Sequence, residues 1–221
     1  MIRQSHVYDQ CVAGSNREGM DHVLGAPLRP DAQAKVTEVL IAADRLLRTD
    51  PTATLEQIAQ AAGVSRATIY RRFPTRQDLL TALSRWAVGR VVAALQDAQI
   101  GTVPPYVALY QATRNVIDVK VSLEYTRTLA PADDEIVADL QEQMRDLATA
   151  LLKQCQDARI ISPDADLSWA RAAYHALIQE VTSPYELPEN ERSTEQLATQ
   201  VVNTFLHGLG SPDRVPPSTG G

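Results

Sequence analysis

The chain has 221 residues, with 44% hydrophobic residues, few aromatics and a formal net charge of -6. That is enough apolar material for one large or two modest domains and argues against disorder. No stretch is long and apolar enough for a membrane span, and the N-terminus lacks a basic-then-apolar export signal, so a cytoplasmic protein is expected. Cys11 and Cys155 are far apart and show no metal-ligand spacing. No metal, cofactor or catalytic residue is assigned.

The charge is unevenly spread. Residues 1–30 balance, residues 31–99 carry nine basic and seven acidic side chains, and residues 100–221 carry nine basic and seventeen acidic. Between Val64 and Arg90 the basic residues are Arg66, Arg71, Arg72, Arg76, Arg85 and Arg90, against Asp78 alone. A short positive window on an acidic chain is what one phosphate-facing surface requires.

Residues 1–30 show no periodicity and read as a flexible arm. Val36, Val39, Leu40, Ala43, Leu46 and Leu47 then recur at three and four, which predicts a helix over 31–49, stopped by Asp50-Pro51. Thr54 and Gln57 have capping-box spacing, so a short helix over 55–63 follows and ends at Gly63. Ser65 is a natural N-cap for a helix over 66–73, with Ile69 and Phe73 inward and the arginines outward. Thr75 caps a long connecting helix over 75–99. Two short helices separated by so tight a turn must cross steeply, as in a helix-turn-helix.

The break from Ile100 to Pro105 marks a boundary, and residues 100–210 form a second helical domain. Apolar patches run from Tyr106 to Ile117 and from Leu123 to Leu129. Asp133, Asp134 and Glu135 favour a helix start. The long stripe from Ile136 to Cys155 follows, with Cys155 a small core residue. Further helices run from Asp166 to Ser183 and, behind the Ser193/Gln196 capping box, from Ser193 to Gly208. Residues 211–221 read as a disordered tail. The expected fold is all-α, with about nine helices.

A helix fits the major groove, where base edges specify and phosphate contacts position. Arg66 and Thr68, in the first turn of the second short helix, are assigned to bases. Tyr70, Arg72 and Arg76 are assigned to phosphates, and Arg71 to either. Thr54, Ser65 and Thr75 at helix N-termini and Ala67 on the outer face complete the candidate DNA surface.

The stretch LEQIAQAAGVSRATIYRRFPTRQDLL closely resembles the DNA-binding domain of the TetR family of transcriptional regulators, over about residues 32–90. Ile58, Ala59, Ala62-Gly63-Val64-Ser65, Ile69-Tyr70, Phe73 and Leu79 carry the match. The family often has lysine at Arg76 and an aromatic or histidine at Arg72, so these departures keep or add positive charge. The resemblance implies a two-fold homodimer on a palindromic operator in double-stranded DNA, paired through the last two helices. Trp169, Ala173, Leu177, Val181, Leu197, Val201 and Phe205 are its candidate contacts. It also implies a cavity for a small-molecule effector, with Trp86, Tyr110, Arg114, Tyr125 and Tyr174 as candidate lining and Asp118 as a simple partner for Arg114. His175 is expected in the core or the dimer interface. The function implied is a ligand-released repressor, not an enzyme. The alternative is a DNA-binding protein whose second domain binds a protein partner.

Overall fold

The computed structural model describes residues 30–123, 125–126, 133–183 and 193–207. These form helices α1 (Pro30–Thr49), α2 (Leu55–Ala61), α3 (Arg66–Arg72), α4 (Arg76–Gln96), α5 (Pro105–Ser122), α6 (Glu135–Asp157), α7 (Leu167–Val181) and α8 (Thr194–His207). The expected arm 1–30, apart from Pro30, which opens α1, and the expected tail 211–221 lie outside the described residues.

The short-range signals act as read. The Thr54 side chain accepts from the Gln57 amide, and the Gln57 side chain accepts from the Thr54 amide, which closes the capping box of α2. Ser65 caps α3 through the Thr68 amide. Thr75 and Asp78 form a second box at α4, and Ser193 with Gln196 forms a third at α8. Each box satisfies amides that a helix start leaves without partners.

Gly63 makes the turn between α2 and α3 at φ 65°. A Cβ there would meet nothing within 4 Å. The cost of Gly63→Ala is therefore backbone strain alone, about 1–2 kcal/mol. A lower midpoint in chemical denaturation measures it, and Gly63→Asn should lose less, because Asn tolerates this conformation better.

α1 packs on α2 and on α4, and α2 on α3. Their shared core holds Leu40, Leu47, Ile58, Ile69, Phe73, Leu79 and Leu83. A second core joins the far half of α4, through Val91 and Leu95, to α5, α6, α7 and α8. α4 lies against both α5 and α6, and α8 against α5 and α7. The chain is thus two cores threaded by one helix.

The structure has eight helices among the described residues, not the expected nine. The missing one is the patch at Leu123–Leu129. Leu123 ends α5 in an extended conformation. The amides of Tyr125 and Thr126 then donate to Oδ1 of Asp44 on α1, at 3.1 and 2.8 Å. Donors held by a distant carboxylate are not available to a helical ladder. Residues 124 and 127–129 lie outside the described set.

α6 begins at Asp134, whose side chain accepts from the Val137 amide. Arg85 of α4 grips the same carboxylate with two hydrogen bonds, 2.9 and 2.5 Å long. That grip, with burial opposing it, holds the Asp134 carboxyl below its ordinary value. A carboxyl lowered in the folded state stabilises fully above the unfolded value of ~3.9 and loses that contribution as pH falls through the lower folded value. Arg85→Gln should therefore cost about 1.5–3 kcal/mol near neutral pH. Thermal melts from pH 7 to pH 2.5 should show the gap to wild type closing at the acid end.

Candidate functional site

Two features on this scaffold carry chemistry. The first is the outer face of α2 and α3. Ile69 and Phe73 are buried, and with the helix so anchored Arg66, Ala67, Tyr70 and Arg71 are exposed, with Thr68 and Arg72 half-buried. A row of cations is thereby presented on a helix whose other side is fixed.

Not all of the candidate DNA residues stand alike. The Thr68 hydroxyl lies 2.8 Å from Ser65 Oγ, so its methyl is the more available group. Tyr70 donates to Glu56 Oε1 of α2 at 2.5 Å. That bond is the main reason the Glu56 carboxyl is lowered and the Tyr70 hydroxyl raised. Arg76 donates to the carbonyls of Pro51 and Ala53, at 2.5 and 3.5 Å, and so ties the loop before α2 to α4. Thr54, Ser65 and Thr75 are exposed and serve as the N-caps described above. Glu56 escaped sequence reasoning, which sought positive charge there. Its signal was an acid one residue after the apolar Leu55 at the head of the reading unit.

The second feature is a cavity of about 380 Å³ among α4, α5, α6 and α7. Its inner wall includes Ala87, Val91, Leu95, Val116, Tyr174 and Ile178, all buried. Its outer rim carries Lys120, Arg145, Arg171 and His175. Lys120 donates to Gln179, another rim residue, at 2.5 Å. The His175 imidazole is shifted toward its neutral form, first by burial and then by the charges of Lys120 and Arg171.

Of the five aromatic and basic candidates for the cavity, only Tyr174 lines it. Its ring forms part of the wall and its hydroxyl lies 2.7 Å from Thr113 Oγ1. The Thr113 hydroxyl itself donates to the Leu109 carbonyl, so Tyr174 is the donor in that pair. Burial raises its pKa strongly. Trp86 is buried in the first core with Arg90 over its ring, 5.2 Å from the centroid. Tyr125 packs against that same core. Tyr110 donates to the Glu195 carbonyl at 3.4 Å. Arg114 reaches the Glu195 carboxylate of α8 at 3.5 Å, while Asp118 accepts from Thr194. Cys155 is buried, its thiol pushed up to about 11 by desolvation. A thiol so placed is a poor nucleophile.

The rim cations also escaped sequence reasoning, which sought four aromatics and a different base, Arg114. Lys120 falls four residues after inward Val116, and Arg171 three before inward Tyr174. A base at helical spacing from an apolar stripe is the signal that could have found them.

Of the dimer candidates, Leu197 and Val201 are buried inside the protomer. Phe205 packs on Tyr174, with ring centroids 5.4 Å apart. Trp169 is 73% exposed on α7. Ala173, Leu177 and Val181 are half-buried on the same helix.

Residues 39–83 match the family described as bacterial regulatory proteins, tetR family. Over 175 residues the chain is 30% identical to the HTH-type transcriptional repressor LfrR of Mycolicibacterium smegmatis, covering 77% of this chain and 88% of that protein. A crystal structure of the TetR-like regulator LfrR from Mycobacterium smegmatis, in complex with proflavine, superposes with a TM-score of 0.59 at 27% identity. It covers 80% of this chain and 98% of its own. The regulator PfmR of Thermus thermophilus shares the fold, with a TM-score of 0.65 at 20% identity over 78% of this chain and 99% of its own. The chain belongs to the TetR family, and so is a DNA-binding transcriptional regulator and not an enzyme.

Proposed function

We propose that the protein is a dimeric repressor that a small molecule, bound in the cavity, releases from a palindromic operator. The observation that carries this reading is the course of α4. It starts in the core under the arginine face, and its Ala87, Val91 and Leu95 line the cavity. A ligand that favours one packing of that wall shifts the helix that supports α3. A ligand of equal affinity for both packings would shift nothing. The likeness to LfrR, named a repressor and solved with proflavine, supports both halves of the reading.

The DNA surface keeps Arg66 and the Thr68 methyl at bases and Arg72 at phosphate, gives Arg71 (first open to either role) to phosphate, and changes the roles of two further residues. Tyr70 must exchange its bond to Glu56 for a phosphate, and Arg76 acts through the loop it holds. Dimer contacts on α7 centre on Trp169, beside Ala172, Ala173 and Ala176, where small side chains allow close approach. Two copies of α3 would meet successive major grooves at ~34–36 Å or a multiple. The site of action is the cytoplasm, where DNA is reached.

The alternative of a protein partner with no small-molecule pocket is less favoured, because 380 Å³ falls within the ~300–1,000 Å³ of small-molecule sites. The test is a mobility-shift assay on DNA flanking the protein's own gene, with and without a small-molecule library, beside sedimentation of the free protein. A dimer that binds one palindrome and is released by a library member supports the reading. A monomer, or a complex that no small molecule releases, defeats it.

A further inference from the structure

Among its described residues, the cavity's charge is one-signed. Among the described lining residues every fully charged side chain is basic: Lys120, Arg145 and Arg171. The titratable His175 stands beside them. This is not the composition of the surrounding chain, since residues 100–221 hold nine basic and seventeen acidic side chains. The acids of α6, among them Glu142 and Asp146, are exposed and outside the lining. The cations are also sorted by depth. The buried wall is apolar but for Ser84, and the bases occupy the rim, on α5, α6 and α7.

Three cations round one apolar opening repel one another and weaken the charged form of any base between them. His175 registers that field, held toward neutrality in part by Lys120 and Arg171. An anionic group at that opening would be attracted by all three cations. We propose that the cavity takes an anionic amphiphile, with its apolar body against Val91, Leu95, Val116 and Ile178 and its carboxylate-like or phosphate-like head at Lys120, Arg145 and Arg171. The class of effector thus deepens the reading of a ligand-responsive repressor and rests on it. It also separates this chain from a cavity suited to a cationic aromatic, which needs carboxylates or bare ring faces.

Three probes with one tail and different heads test it: dodecanoate, dodecanol and dodecyltrimethylammonium. Each is titrated calorimetrically into the full chain, below its micelle concentration. Dodecanoate should bind at least ~10-fold more tightly than the other two, as a few partly exposed ion pairs provide. Lys120→Gln with Arg171→Gln should remove that advantage and leave dodecanol unchanged. Unaltered operator binding serves as the check that this variant folds. Should it not fold, the exposed Arg145→Gln must lower the dodecanoate affinity on its own. Equal or tighter binding of the cation, or an unchanged preference in the variants, overturns the anionic class while leaving ligand response intact. Failure of all three probes to bind, with operator binding retained, overturns the anionic amphiphile, while ligand release is decided separately by the library assay on the operator.

Discussion

Arg66→Ala should weaken binding to the operator and erase preference for one base pair in each half-site. Arg66 is the first residue of α3 and is exposed. Ser65 fixes that turn through the Thr68 amide, so the guanidinium leaves a rigid start rather than a frayed one. A bidentate contact to guanine contributes about 1–3 kcal/mol of discrimination, and a palindrome uses it twice, giving roughly 2–6 kcal/mol. Arg71→Ala provides the contrast. Loss of a phosphate contact weakens all sequences alike and lowers the salt slope by about one per contact. Shift assays on an operator series, at two salt concentrations, separate the outcomes. If Arg66→Ala weakens every variant of the operator equally, Arg66 holds phosphate and the base reader is elsewhere on α3.

The second large effect is expected far from DNA. Asp44→Ala should lower the melting temperature by ~6–12 °C, the shift that ~3 kcal/mol gives a chain of this size. Asp44 is 2% exposed. It accepts from the amides of Tyr125 and Thr126 and from Thr126 Oγ1 at 2.9 Å. Without the carboxylate, these shielded donors lose their partner, at about 1–3 kcal/mol each if water does not replace it. Asp44→Asn keeps one carbonyl acceptor and should lose much less. A second readout follows from position. Thr126 lines the cavity, and Asp44 belongs to α1, which packs on α2 and α4. Asp44→Ala should therefore reduce ligand-driven release more than it reduces ligand affinity. Calorimetry beside the shift assay checks this, and equal loss of both would make Asp44 a packing residue only.

What could be read in advance, and what could not, divides by range. α2 and α3 were legible because their causes lie within four residues: Thr54 with Gln57, Ser65 with Thr68, Gly63 between them. The same holds for Ser193 with Gln196. The helix expected over Leu123–Leu129 is not seen at its described residues, where the Tyr125 and Thr126 amides are taken by Asp44, some eighty residues away, and no local pattern announces that capture. Most of the cavity's lining was missed for a related reason. Four aromatics and Arg114 were sought; Tyr174 lines the cavity, yet Trp86 and Tyr125 serve the first core, and Tyr110 and Arg114 are held by α8. The rim is built from cations on three helices that only packing brings together. Leu197 and Val201 show the limit of stripe counting, since an apolar stripe declares that it is covered and not by what.

The path of α4 bears on how such regulators can be re-engineered. Exchanging the DNA-reading head for another suggests a cut at the Ile100–Pro105 break, yet that cut carries the whole of α4 away with the head. The recipient would lose Ala87, Val91 and Leu95 from its cavity, and Arg85, which holds the start of α6, would depart as well. A cut in the Pro74–Thr75 link spares the sensor but strips Leu79 and Leu83 from beneath the head. No single splice point leaves both units whole. A working hybrid needs a composite α4, with donor residues on the face toward α1 and native ones toward α5 and α6. Regulators of this build are thus exchangeable by surface and not by segment.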